Sequence, residues 1–255
     1  GCFRRCSFCG TWKLEPNEQY FNDIQIRKNH VIFYDNNFLK HPNIVKMLKD
    51  FEQLRIDGRV VTFESQSGFD GRILDKELAV LLKKARFINP RIAWDHSIED
   101  YTLIRKQIKY LRDAGYYAKD INVFMIYNWD LDYNEMEKKR VKCWKLGVQI
   151  MDCRYRPLTQ LFDNFNARLI QTNEDYFIKD NWSDAEIKQF RKNVRRHNIC
   201  IRHGFAFHSP TLEHMRVSKA DFKRLMQSKK KRDIKKQIPD AWFPDEFHPS
   251  ICDKT

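Results

Sequence analysis

The sequence predicts an α/β fold in which parallel strands alternate with helices, and three observations carry that prediction. Short apolar or β-branched runs alternate with helical apolar spacing over the first 150 residues or so. The 255 residues, 42% hydrophobic and 14% aromatic, suffice for one large core. No run of about 18 apolar residues occurs, so no membrane-spanning helix is expected. Right-handed crossovers would curl such a series into a full or partial barrel.

The elements follow in order. Val31-Ile32-Phe33-Tyr34 has strand character, and Ile44, Met47, Leu48, Phe51 and Leu54 then recur at helical spacing. Arg59-Val60-Val61-Thr62-Phe63 reads as one β-branched strand, followed by a helical face of Leu74, Leu78, Leu81, Leu82 and Ala85. Ile92-Ala93-Trp94 is a third strand, and Ile104, Ile108 and Leu111 mark a helix stopped by Gly115. Ile121 to Ile126 is the fourth strand, then a charged helix over 132–146 stopped by Gly147, and Val148 to Met151 is the fifth. Past Pro157 the alternation ends. Ser183-Asp184-Ala185-Glu186 is a capping-box signature, and a second helix is expected near Ser218. The chain therefore divides into a core, 1–156, and a mainly helical basic extension, 157–255.

Chemistry concentrates at the start. Cys2, Cys6 and Cys9 have the spacing C-x3-C-x2-C, and three thiolates fit three corners of an iron–sulfur cube, leaving one iron open. Zinc is the alternative, since Cys6 and Cys9 form a C-x2-C pair and His197, Cys200, His203 or His208 could add a ligand. Seven cysteines in this length do not make a disulfide scaffold, and no secretory signal is present.

With Phe8 immediately before the third cysteine, this segment closely resembles the signature of the radical S-adenosylmethionine (SAM) superfamily. The resemblance covers roughly residues 1–155 and implies a partial (β/α)6 TIM-like barrel. Its first strand would precede Gly1, as would any cobalamin-binding domain. It further implies a [4Fe-4S] cluster on Cys2, Cys6 and Cys9 whose open iron binds SAM. A one-electron donor of flavodoxin or ferredoxin type would then release a 5′-deoxyadenosyl radical. An oxygen-sensitive cluster in a chain with no export signal implies a reducing cytoplasm.

The resemblance also assigns residues at the strand ends. Asp35-Asn36-Asn37 stands where the family holds the SAM amino group, and its oxygens can accept from an ammonium, though Asp and Asn also cap helices. Gly68-Phe69-Asp70-Gly71-Arg72-Ile73-Leu74 resembles a family segment, in which Asp70 and Arg72 could simply pair. Glu64 and Ser65, then Asp95 and Ser97, are candidates for the ribose hydroxyls or substrate, with Phe8 and Met125 beside the cofactor. His96 and Cys153 are the catalytic candidates, against a structural histidine and a buried thiol as the plainer readings. Tyr127-Asn128-Trp129-Asp130 departs from the family's Gly-x-Pro-Gly, and Asp152, Arg154 and Arg156 are expected to face the same mouth.

The formal charge of +13 favours a polyanionic partner. Arg191, Lys192, Arg195 and Arg196, then Lys229, Lys230, Lys231 and Arg232, could track a nucleic-acid backbone or simply be solvated. Two function classes follow: a radical SAM enzyme acting on RNA, a peptide or a small metabolite, and a zinc-stabilised nucleic-acid-binding protein without catalysis.

Overall fold

The pattern of apolar runs becomes a mixed α/β structure in the computed structural model, which describes residues 1–22 and 24–204. The helix expected near Ser218, the run Lys229 to Arg232 and Cys252 lie outside the described residues. After a short helix α1 (Thr11–Leu14) come β1 (His30–Phe33), α2 (Ile44–Gln53), β2 (Arg55–Ile56), β3 (Arg59–Val60) and β4 (Thr62–Ser65). Then follow α3 (Lys76–Lys84), β5 (Arg91–Ala93), α4 (Tyr101–Asp113), β6 (Asn122–Tyr127), α5 (Tyr133–Leu146), β7 (Gln149–Arg154) and α6 (Asp184–His203).

One expected strand is two. The run 59–63 divides into β3, which pairs antiparallel with β2, and β4, which pairs parallel with β1. The cause is Asp57-Gly58, whose φ angles of 48° and 72° are those of a tight type I′ hairpin turn.

The other strands are parallel and stand in chain order. β4 adjoins β1, and β5, β6 and β7 form a second parallel sheet. The segment leading into β5 joins the two, because the Ile88 amide donates to the Phe63 carbonyl at 2.8 Å and the Phe69 amide to the Arg91 carbonyl at 2.7 Å. The strands do not close on themselves among the described residues. Each of α2 to α6 packs on the next in chain order. That arrangement puts the helices along one side of the sheet.

Side chains alternate across a strand, so this covering divides them into two sets. Val31, Phe33 and Phe63 turn to the helices, where Phe51 and Phe63 stack at 4.5 Å, and Ile92, Val123 and Ile150 continue that core. Ile32, Glu64, Arg91, Ala93, Phe124 and Cys153 face the other way. Ile32 on that second face is 40% exposed, whereas Val123 on the first is wholly buried.

Residues 157–204 share this core rather than hanging from it, since Tyr176, Trp182, Ile187, Phe190 and Val194 are buried in the same cluster. The expected capping box forms at Ser183 and Glu186. Asn198 on α6 covers the free edge of β7 with its amide, accepting from the Ile150 amide at 2.8 Å and donating to its carbonyl at 2.7 Å. No helix of the described residues is long and apolar enough to cross a membrane.

Replacing Ser183 by Ala removes the cap from α6 and should cost about 1 kcal/mol. Urea unfolding of the two proteins side by side measures this as a lower midpoint at constant slope.

Candidate functional site

The cysteine loop is shaped by its own backbone. Arg5 adopts a positive φ of 46°, the Cys9 amide donates to the Cys6 carbonyl at 3.0 Å, and the Trp12 indole donates to the same carbonyl at 2.9 Å. Cys2, Cys6 and Cys9 are half-buried free thiols, and Phe8 between them is half-buried. A side chain at Gly10 would meet Leu158 at 2.7 Å, so the 157–180 loop rests on this segment. Donor type and chain spacing fit an iron–sulfur or zinc group. The sulfurs are not drawn into a cage: among the described residues no three His, Cys, Asp or Glu side chains are arranged to hold a metal ion.

Asp70 docks this loop onto the sheet. Its carboxylate, 7% exposed, accepts from Arg4 Nε at 2.6 Å, Asn37 Nδ2 at 3.2 Å, and Arg72 Nε at 3.0 Å. The three partners come from the cysteine loop, the turn after β1 and the turn after β4. Burial alone would raise the Asp70 pKa, but the hydrogen bonds from Arg72 and Arg4 hold it below the usual carboxylate range. Gly71 follows, close against α4: a Cβ there would lie 2.2 Å from Gln107 Oε1, so Gln107 would have to move to admit one.

The turn after β1 is tied down by its own amides. Asp35 accepts from the Asn37 amide at 2.8 Å, as a capping residue does, and Asn36 donates to Glu15 at 2.8 Å. Asn37 Oδ1 is buried with no hydrogen-bond partner among the described residues.

Asp95 lies just past the end of β5 (Arg91–Ala93). It continues the Arg91–Ala93 face, lies within electrostatic reach of Cys6 and Cys153, and has its pKa raised by desolvation. The Cys6 thiol is likewise pushed up, first by burial and then by Asp95. Cys153 is solvent-accessible on the same concave face, where desolvation and then Asp152 and Asp95 push its pKa up to about 12. Asp95 is thus the group within electrostatic reach of Cys6, Arg72 and Cys153.

Other expected residues stand elsewhere. Glu64 pairs with the buried Arg91, which also donates to the Ser65 carbonyl at 2.6 Å. Ser65 Oγ bonds the Gly68 carbonyl at 3.2 Å, and Ser97 Oγ caps the Glu99 amide at 3.1 Å. The His96 side chain is exposed. Met125 is wholly buried on the helix side of β6, together with Val123 and Tyr127, and Phe124 and Ile126 face the concave side. Asp152 and Arg154 also lie on the helix side, opposite Met125 and Tyr127. Their expected place in the mouth is corrected accordingly: Arg154 bonds Asp163 at 2.6 Å and stacks on Phe165 and Tyr176. Arg156, 58% exposed, joins Asp163 at 3.2 Å.

Sequence reasoning passed over Lys139, and it noted Asn128 only as part of the segment Tyr127-Asn128-Trp129-Asp130. Asn128 adopts a φ of 59°, a region Asn tolerates, and its buried amide donates to the Phe177 carbonyl at 2.9 Å and accepts from the Lys179 amide at 2.9 Å. On α6, Arg191, Lys192 and Arg195 are exposed and Arg196 is half-buried.

No known protein-family model matches this chain, and no curated protein matches it.

Asp70→Asn should cost about 2 kcal/mol, chiefly through Arg4 and Asn37, since Arg72 is nearly half exposed and screened. A depressed carboxylate stabilises above its unfolded pKa of about 3.9 and loses that contribution as pH falls through the lower folded value. The difference in stability between parent and variant is therefore expected to be flat near neutrality and to close below about pH 4. Thermal melts across pH measure it.

Proposed function

We propose that this chain is a radical SAM enzyme, built as a partial barrel whose concave face carries the reaction. The observation that supports it most is the docking of the C-x3-C-x2-C loop, through Asp70, against the C-terminal ends of β1 and β4. Chain-ordered parallel strands with helices on one side are the arrangement in which such ends gather functional groups.

When bound, a [4Fe-4S] cluster with SAM supplies one-electron cleavage to a 5′-deoxyadenosyl radical that abstracts hydrogen from substrate. The chain's own residues have separate tasks. Cys2, Cys6 and Cys9 donate thiolates. Asn37 Oδ1, buried and without a partner among the described residues, can accept from an ammonium. The Asp95 carboxylate can accept from ribose hydroxyls, while Phe124 and Ile126 give the concave face an apolar floor that excludes water. The reducing cytoplasm suits three free thiols. For substrate class the formal charge of +13 and the exposed Arg191, Lys192 and Arg195 favour RNA.

Anaerobic reconstitution with iron and sulfide, followed by dithionite and SAM, tests the reading. 5′-Deoxyadenosine is expected from the parent protein and none from Cys2→Ala, Cys6→Ala or Cys9→Ala. Bound zinc with no visible absorption would instead identify a zinc-stabilised protein, and cleavage retained by Cys6→Ala would refute the cluster assignment.

The RNA reading has a separate test. Replacing Arg191, Lys192 and Arg195 with Gln should lower the slope of log affinity against log salt by about 1 for each phosphate no longer neutralised. A filter-binding titration with single-stranded RNA at several salt concentrations reads that slope, and an unchanged slope would mark the face as merely solvated.

A further inference from the structure

Lys139 is a charged residue with no exposed surface at all. It lies in α5, and its ammonium donates to the main-chain carbonyls of Trp94 at 2.7 Å and His96 at 2.8 Å. The same ammonium sits 5.1 Å from the Trp94 ring centroid. Both acceptors belong to residues just past the end of β5, and they flank Asp95 on either side. A bare ammonium is costly to bury, and an apolar side chain of similar volume would often pack here at no loss. What an apolar side chain cannot do is bond two carbonyls at once.

Two bonds from one donor to residues 94 and 96 fix the backbone of the residue between them. Asp95 is the group within electrostatic reach of Cys6, Arg72 and Cys153. The charges around its carboxylate act on it through space rather than through a side-chain hydrogen bond, so its aim depends on its backbone. We propose that Lys139 is a positioning residue, which pins residues 94–96 so that the Asp95 carboxylate is held towards the cysteine loop to accept the vicinal hydroxyls of a ribose. The ribose rests on the radical SAM reading; the pinning does not.

The surroundings agree. Burial lowers the Lys139 pKa to about 8, opposed by Asp95, then by Cys143, Asp100 and Glu135. The Asp95 pKa is raised by desolvation, and Lys139 is the first of the charges that oppose this rise, ahead of His96 and Arg72. The lysine therefore serves Asp95 both through the backbone and through its charge.

Lys139→Met keeps the volume and removes the donor. Hydrogen–deuterium exchange on the full chain, with no metal or SAM added, should quicken about tenfold over residues 94–97 while the strands keep their protection. Exchange there equal to the parent's overturns the proposal. Failure of both Lys139→Met and Lys139→Gln to fold overturns it too, since the lysine would then be purely structural. In reconstituted protein, Lys139→Met and Asp95→Asn should each weaken SAM retention about tenfold, and the double variant no further than either. Losses that multiply would overturn the coupling. A parent protein that retains no SAM counts against the radical SAM reading alone, and the exchange result still decides the role of Lys139.

Discussion

One buried carboxylate holds the candidate site together. Asp70 has almost no access to water, so its charge must be met inside the protein, and three segments distant in sequence supply the partners. Because each partner belongs to a different turn, satisfying the charge also fixes the geometry: the cysteine loop is drawn over the ends of β1 and β4. The contact is specific in a way apolar packing is not, since a shift of one turn would leave an ion unpaired. Gly71 belongs to the same constraint. Gln107 fills the space its side chain would need, so Asp70 is presented on a turn pressed directly against α4.

The sheet adds a second constraint. With helices on one side only, the fold must place apolar residues on alternate positions and leave the rest for a half-exposed concave face. That face carries the exposed thiol of Cys153 and, where it is buried, the ion pair Glu64–Arg91. At its far edge α6 protects β7 with Asn198, so the strand order ends in a side-chain amide rather than an open ladder.

The elements were largely legible because their signals are local. Apolar spacing marked α2, α3 and α4, charge and the Gly147 stop marked α5, and the capping box marked the start of α6 to the residue. The hairpin was legible too, in Asp57-Gly58, but a β-branched run drew attention past it. The phase of the strands was not. Ile121 to Ile126 is apolar almost throughout, so a period of two cannot say which alternate residues face the helices. Asp152 and Arg154 were expected beyond a strand ending at Met151, whereas β7 continues to Arg154 and takes both into its helix-side row. Asp35 and Ser97 illustrate another limit: residues that accept from ligands are the same types that cap turns, and only coordinates separate the uses. Lys139 had no sequence signal, because a lysine in a charged helix reads as solvated.

Charge balance bears on what the cysteine loop is for. Cys2, Cys6, Cys9 and Asp95 bring three thiols and a carboxyl into one half-buried patch, where Arg72 is the cation within reach of Cys6. Under those conditions the Cys6 thiol resists ionisation: burial raises its pKa, and Asp95 and the neighbouring cysteines raise it further. A structural thiol gains nothing from such a setting, since an apolar residue would pack there without the cost. A bound cation reverses each of these effects, because it stabilises the thiolates, relieves their mutual repulsion and lowers the penalty on Asp95.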